Sequence, residues 1–405
     1  MVGRVVSGAA AMRRRVVLVS PRFLDLTSAP SRRSLSLAKY LASRGFGVTV
    51  FCKAGYSDLA PDRIVGHDSV EFSFIGTRQR SNSRSLISRA IDELRFSLGT
   101  VLRLLSLSRL WMVVFSVPPA LPLISVYALQ LLRPGRQQIV VDVRDLYPEV
   151  IHYAGLLSDR HPLIRLMQLF MRGVYMHSDY VTVATRSIGC VVARDYDRPD
   201  PVVWYNGSPH DMVLGEFHGS LNTLPEMTTL ITHGTLGRFQ DVSALTDFAR
   251  YLLQQQRNDI RIVVAGDGVR RYLIEEGASD GLPIRYSGIL SSSELLGAID
   301  SATIGLSIRS GDSGSVGALP VRVFEYLGRA LPVIIVPDGE AGRHVASATA
   351  GVVLSSFTPE SLLRAVDTIV ASPETYSRYR SNSLALAKSF IREQCLEAAW
   401  QPILD

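Results

Sequence analysis

Apolar and polar residues along this chain fall into a repeating rhythm of strand and helix. RVVLVS (15–20) is a short run rich in β-branched residues, and SLSLAKYLASRG (34–45) then places Leu35, Leu37, Ala38 and Leu41 at helical spacing before a glycine stop. GVTVFC (47–52) returns to a strand pattern and completes one strand–helix–strand unit. Further β-rich runs at VEFSFI, WMVVFS, QIVVDV and YVTVA continue it, so the first half predicts an α/β domain: a mostly parallel sheet with helices on both faces. The rhythm restarts at VVWYN and TTLITHG and runs through RIVVAGDG, PIRYSGI, TIGLSI and PVIIVP, each followed by a helical stretch. A second open sheet of the same kind follows.

Two sheets need two cores, and 405 residues suffice for two α/β domains of about 200 residues each. The stretch NGSPHDMVLGEFHGSLNTLPEM (206–227) is rich in Gly, Ser, Asn and Pro and lacks periodicity, which marks a boundary. The expected division is 12–205 for an N-terminal Rossmann-like domain and 206–374 for a C-terminal one. A helical segment, 375–405, is expected to pack across their junction. Residues 1–11 read as a dispensable extension, because Met12 followed by three arginines is an equally good start.

Two apolar stretches test this picture. Trp111–Leu132 approaches membrane-spanning length, but Pro118, Pro119 and Pro122 divide it into a strand, a turn and a helix. Residues 78–110 set Ile87, Ile91, Leu94, Leu98, Val101, Leu102 and Leu105 at helical spacing among seven arginines and two acids. Such a helix either crosses over the sheet with its stripe inward or lies on an anionic membrane surface.

Composition narrows the classes. An apolar fraction of 47% with 20% charged residues is that of a folded globular chain. The net charge of +6 is unevenly placed: residues 1–205 carry 27 basic against 15 acidic residues, and the remainder 16 against 22. A basic half can meet nucleic acid, anionic lipid or a phosphorylated acceptor. Nucleic acid is disfavoured, because the basic residues are scattered without interleaved aromatic platforms. Cys52, Cys190 and Cys395 stand far apart with no C-x-x-C pair, which argues against a disulfide framework or a structural zinc site. No G-x-S-x-G elbow follows a strand, there is no H-x-x-x-H, and no G-x-G-x-x-G follows the first strand, so hydrolase, metalloenzyme and nicotinamide readings fall away.

Candidate chemistry gathers in the second half. HGTLGRFQD (233–241) lies between a strand and a helix predicted to begin near Val242. Its glycines let backbone amides approach a phosphate, the helix end adds oriented N–H groups, and Arg238 supplies a full charge. In GALPVRVFEYLGRALPVII (317–335) a helix starts after Pro320. There Glu325 can accept hydrogen bonds from vicinal ribose hydroxyls, and Arg322 can meet phosphate.

The ordered series NG (206–207), G-x-L-G-R-x-Q (234–240), VVAGDG (263–268), YSG (286–288), P-x-R-x-x-E-Y (320–326) and GE (339–340) resembles glycosyltransferase family 4. VDVRDLYPE (141–149) resembles the V-x-D-L-W-P-E signature of its bacterial N-acetylfucosamine transferase branch, which serves surface polysaccharide assembly. The resemblance spans the chain beyond residue 15 and implies the GT-B fold, two Rossmann-like domains facing a cleft. It further implies retaining transfer without a bound catalytic metal or other cofactor, from a nucleotide-sugar donor, a UDP-sugar by expectation, to a saccharide or lipid-linked acceptor. The protein would then work in the cytoplasm, peripheral to the inner face of the membrane. Carried over residue by residue, Glu325 binds ribose, Gly234 and Gly237 admit the diphosphate, Gly288 lies beside the base, and Asp145 is the candidate catalytic residue near the reacting centre.

The sequence departs from the family at three places. Uncharged Thr235 and Gln240 stand where the family carries arginine and lysine, so Arg238 and Arg322 must neutralise the diphosphate. Gly317 replaces the first of two glutamates spaced eight apart. Ser28, Ala29, Pro30 and Ser31 stand where a glycine pair follows the first strand. These departures motivate a second reading, a non-catalytic partner of the same fold that binds nucleotide or glycan and supports another transferase.

Overall fold

The computed structural model describes residues 14–21, 29–53, 70–76, 86–153, 155–214, 224–311 and 317–405. The expectations for residues 1–13, 78–85, 215–223 and Ser28 lie outside the described residues. Two compact units are present: one takes in the described parts of Met1–Tyr147, Leu166–Thr182 and Val192–Val202, and the other those of Pro148–Arg165, Val183–Val191 and Val203–Asp405.

The first unit is built on β1 (Arg15–Val19), β2 (Gly47–Lys53), β3 (Val70–Ile75), β4 (Leu110–Val117), β5 (Gln138–Val143), β6 (Tyr180–Val183) and β7 (Val202–Val203), in the order β3-β2-β1-β4-β5-β6-β7. β1 pairs parallel with β2 and with β4, so the chain starts mid-sheet, builds one way, then reverses between β1 and β4. Its connections include α1 (Ala29–Ser43), α2 (Leu86–Ser106), α3 (Ile124–Leu132), α4 (Pro162–Met176) and α5 (Arg186–Asp195). β1, β4 and β5 are apolar almost throughout, as a strand covered on both faces must be.

Trp111–Leu132 resolves into β4, a 3₁₀ turn at Leu121–Leu123 and α3, as the prolines predict. Among the described residues no helix is long and apolar enough to cross a membrane. One expectation is corrected: VVWYN does not open the second sheet. Val202 and Val203 form the last strand of the first, and the chain leaves that edge at once. α1 begins at Ala29, earlier than the 34–45 pattern, because Ser31, Arg33 and Ser34 are buried polar residues that the apolar count omits.

The second unit repeats the plan with six strands: β8 (Thr228–His233), β9 (Ile260–Ala265), β10 (Ile284–Gly288), β11 (Ile304–Ile308), β12 (Val333–Val336) and β13 (Gly351–Val353), ordered β10-β9-β8-β11-β12-β13. The order reverses between β8 and β11, the kind of point at which open α/β sheets bind ligands beyond their strands' carboxyl ends. Helices α6 (Val242–Gln254), α7 (Arg271–Ser279), α8 (Ser292–Asp300), α9 (Val321–Gly328), α10 (Glu340–Ser347) and α11 (Pro359–Ile369) connect the strands.

The C-terminal stretch is two helices, α12 (Pro373–Lys388) and α13 (Arg392–Leu404). α12 packs on α9, and Arg392 donates from Nε to the carbonyl of Asn206 at 2.9 Å. Trp400 meets Trp204 edge-on with ring centroids 5.8 Å apart. These contacts all fall within the second unit.

Candidate functional site

The predicted donor residues gather at the carboxyl edge of the second sheet. β8 is buried along its whole length and stops at His233, where Gly234 turns the chain at φ +113°. A side chain there would be strained, and its Cβ would stand 3.3 Å from Nη2 of Arg322. Glycine therefore lets a guanidinium lie against the loop backbone.

The turn after β9 is packed more tightly still. A Cβ on Gly266, at φ +126°, would come within 1.9 Å of the Gly234 carbonyl oxygen, and one on Gly268 within 2.4 Å of that of Leu236. The Gly234 N–H donates to Ala265, and the Gly266 N–H donates to Gly288 at 2.6 Å. Gly288 ends β10 at φ +64°. Three successive strand ends are thus joined backbone to backbone. VVAGDG belongs to the ordered motif series, which gives its glycines no role; the G-x-G spacing carries the signal, without the partner it packs against.

Arg322 and Glu325 sit one turn apart on α9, which no side chain caps at its N-terminus. Glu325 is buried, with Oε2 at 3.2 Å from Nε2 of His233. Arg322 is partly buried and donates from Nη1 to Oγ1 of Thr232 at 3.4 Å. Burial pushes its guanidinium below the ordinary arginine value, against the pull of Tyr326 and Glu325. Tyr326 lies over Gly305 of β11, where a Cβ would stand 2.4 Å from its ring, and packs edge-on to His233. Burial raises the Tyr326 hydroxyl pKa well above the usual range.

Gln240 is buried and donates from Nε2 to Thr232 Oγ1 at 3.1 Å, the same oxygen that Arg322 reaches. A residue expected only as a missing lysine therefore helps fix the hydroxyl beneath Arg322. Gln240 also forms an isolated backbone bridge with Arg309, just past the end of β11, which places a further arginine at the reversal point. Arg309 had no distinguishing signal in sequence. Gly237 follows in the same loop, while Thr235 and Arg238 are exposed. A Cβ placed on Gly155 would meet Nη1 of Arg238 at 3.9 Å.

The helix end after Gln240 differs from expectation. Asp241 caps α6 itself, accepting from the Ala244 N–H at 3.2 Å, so part of the anion-binding capacity read from sequence is met internally. Glu340, at the start of α10, is a site the sequence reading quoted without a role. Its buried carboxylate accepts the N–H of Arg186 at 2.8 Å, that of Ser187 at 2.6 Å and the Tyr205 hydroxyl at 2.9 Å. Burial works to raise its pKa, and the hydrogen bonds from Ser187, Arg186 and Tyr205 outweigh that, leaving it below the ordinary carboxylate value. Gly317 accepts a hydrogen bond at its carbonyl from Thr185.

In the first unit, Asp145 is exposed in the turn after β5. The guanidinium of its neighbour Arg144 donates to the carbonyls of Val117 and Pro118 at 3.4 and 2.7 Å. The buried charge nearby is Asp142, held by Arg33 through two hydrogen bonds of 2.9 and 2.7 Å and by the Thr182 hydroxyl. Among the described residues no group of three or more His, Cys, Asp or Glu is placed to hold a metal ion.

No family model and no curated protein matches the sequence. Solved structures do match in fold. Sucrose-phosphate synthase from Thermosynechococcus elongatus superposes with a TM-score of 0.72 at 13% identity, covering 97% of this chain and 98% of that one. WaaG, a glycosyltransferase involved in lipopolysaccharide biosynthesis, gives 0.69 at 15% identity over 96% and 99%. Anabaena HepE in complex with UDP and glucose gives 0.69 at 13% identity over 97% and 99%. The chain therefore has the GT-B fold of two Rossmann-like domains.

Proposed function

We propose that this protein is a retaining, metal-independent glycosyltransferase of the family 4 type. It moves a sugar from a UDP-sugar to a membrane-associated saccharide or lipid-linked acceptor, in surface polysaccharide or glycoconjugate assembly, from the inner face of the cell membrane. The observation that carries the reading is the gathering of Gly234, Gly266, Arg322 and Glu325 at the carboxyl edge of the second sheet, since close-packed glycine loops, an arginine hydrogen-bonded to a neutral hydroxyl and a buried carboxylate suit a nucleoside diphosphate. Arg322 makes no ion pair among the described residues, so its charge is available to an anion.

In this reading Glu325 accepts from the ribose hydroxyls, oriented by His233, and Gly288 lies beside the base. Arg322 and Arg238, with Gly234 and Gly237 opening the backbone, take the charge that accumulates on the departing diphosphate. Arg309 is a further cation for the same task. Asp145 is assigned to stabilising the electron-poor anomeric carbon or orienting the acceptor hydroxyl. The relatives whose structures hold UDP or UDP-glucose support the choice of donor.

The second reading, a non-catalytic GT-B partner, is favoured by Gln240, whose side chain is buried against Thr232 where the family has a lysine. Incubating the purified chain with UDP-, GDP-, ADP- and dTDP-sugars separates the two. Release of one nucleotide, with retention of anomeric configuration in the product, is the expected result. Nucleotide binding with no turnover of any donor, with acceptor extracts present, establishes the partner instead.

A further inference from the structure

Three helices of the first unit each carry two apolar stripes where one suffices. α2 buries Phe96 and Leu104, α3 buries Val126 and Leu129, and α4 buries Met171 and Val174, which completes their packing. Yet α2 also exposes Ile91, Leu94, Leu98 and Leu102, the last at 69%. α3 exposes Leu131 and Leu132 at 80% and 60%, and α4 exposes Leu166, Leu169 and Met176. Single exposed leucines are ordinary, but this many on adjoining helices is not.

The topology puts these stripes on one side. The connections β3–α2–β4, β4–α3–β5 and β5–α4–β6 all advance in the same direction across the sheet, so right-handed crossovers place all three helices on the same face, opposite α1. α2 packs along α3, and Tyr127 of α3 donates to the Phe170 carbonyl of α4 at 2.9 Å. Residues exposed on such a layer point away from the sheet together.

Charge selects the occupant. From Leu86 to Arg136 and along α4 the chain carries eight arginines and two acids, Asp92 and Glu93; Glu93 is paired with Lys53, and Arg172 of α4 with Asp197. Arg95 and Arg136 are exposed beside the leucines. Among the described residues no helix is long and apolar enough to cross a bilayer, and a basic helix layer with exposed leucines suits a bilayer surface instead. We propose that the α2–α3–α4 layer is a docking surface for an anionic lipid bilayer, its leucines entering the acyl boundary and its arginines meeting headgroup phosphates. This extends the 78–110 expectation to two further helices and names the partner of the proposed transferase, while its physical support is independent of that reading.

Flotation of the full chain with phosphatidylglycerol-containing vesicles, against phosphatidylcholine alone, tests it. Strong binding to the anionic vesicles is expected, falling with added salt. A triple variant Leu98→Ser, Leu102→Ser, Leu131→Ser should bind roughly a hundredfold more weakly. A double variant Arg95→Ser, Arg136→Ser should bind anionic vesicles roughly tenfold more weakly, with little change on neutral ones. Wild-type protein that fails to float, or variants that float unchanged, overturns the proposal. So does a wild-type dimer that the leucine variant dissolves without any vesicle binding, which assigns the face to a second copy. The arginine variant retains a normal core and keeps the test decisive if the leucine variant misfolds. Vesicle binding needs no nucleotide, so a chain that binds UDP but not vesicles overturns docking alone, and the converse overturns only the donor reading.

Discussion

At the reversal of the second sheet the chain sets glycines and an arginine without a carboxylate partner, whereas at the reversal of the first it sets prolines and charges already satisfied. Gly234, Gly266 and Gly268 bring loop backbones within contact of one another, and Arg322 lies against Gly234 with one long hydrogen bond to Thr232. In the first unit Pro118 and Pro119 follow β4, Arg144 is spent on main-chain carbonyls, and Asp142 is neutralised by Arg33. Among the described residues, the second edge presents Arg322 bound to a neutral hydroxyl, and the first presents exposed Asp145. Two sheets of the same strand order thus carry different side chains at their reversals.

The sharpest way to break that contrast is to remove the Arg322 charge. Arg322→Ala is expected to lower kcat/KM for the donor by roughly a hundredfold or more, with Arg238→Ala smaller because that side chain is exposed. Normal turnover in both variants would show that the diphosphate is neutralised elsewhere. Gly266→Ala places a methyl against the Gly234 carbonyl at a positive φ, and should cost about 2 kcal/mol in denaturant unfolding. Gly297→Ala in α8, where a Cβ meets nothing within 4 Å, should instead stabilise by about 0.5 kcal/mol. Equal effects at the two glycines would remove the backbone-packing argument.

A further expected effect, confined to one pH range, concerns Glu340. Because its folded pKa lies below the ordinary value near 4.5, its hydrogen bonds contribute fully above that pH and are lost as pH falls through the lower folded value. Glu340→Gln should therefore cost about 1 kcal/mol at neutral pH, and the gap from wild type should close as the solution is acidified below about 4.5. A gap independent of pH would mean that the carboxylate charge is not what holds Arg186 and Ser187.

Most strands were legible because strands covered on both faces read as apolar runs, as β1, β5 and β11 do. VVWYN misled because Trp204 and Tyr205 continue the apolar pattern after the ladder ends: Trp204 is buried against Trp400, nearly two hundred residues away in sequence. At the candidate site, Gly234, Arg322 and Glu325 stood out by spacing within one loop and one helix. The contributions of Gln240, Arg309 and Glu340 depend on partners from distant elements, and a linear pattern carries no trace of such pairings.

The account rests on a nucleoside diphosphate site at the β8/β11 reversal, and nucleotide binding to the purified chain tests it most directly. A rise in thermal stability with UDP, absent with CMP and lost in Glu325→Ala, is the predicted result, since a ligand that binds only the folded chain must stabilise it. No shift with UDP, GDP, ADP or dTDP, or a UDP shift that survives both Glu325→Ala and Arg322→Ala, would contradict it.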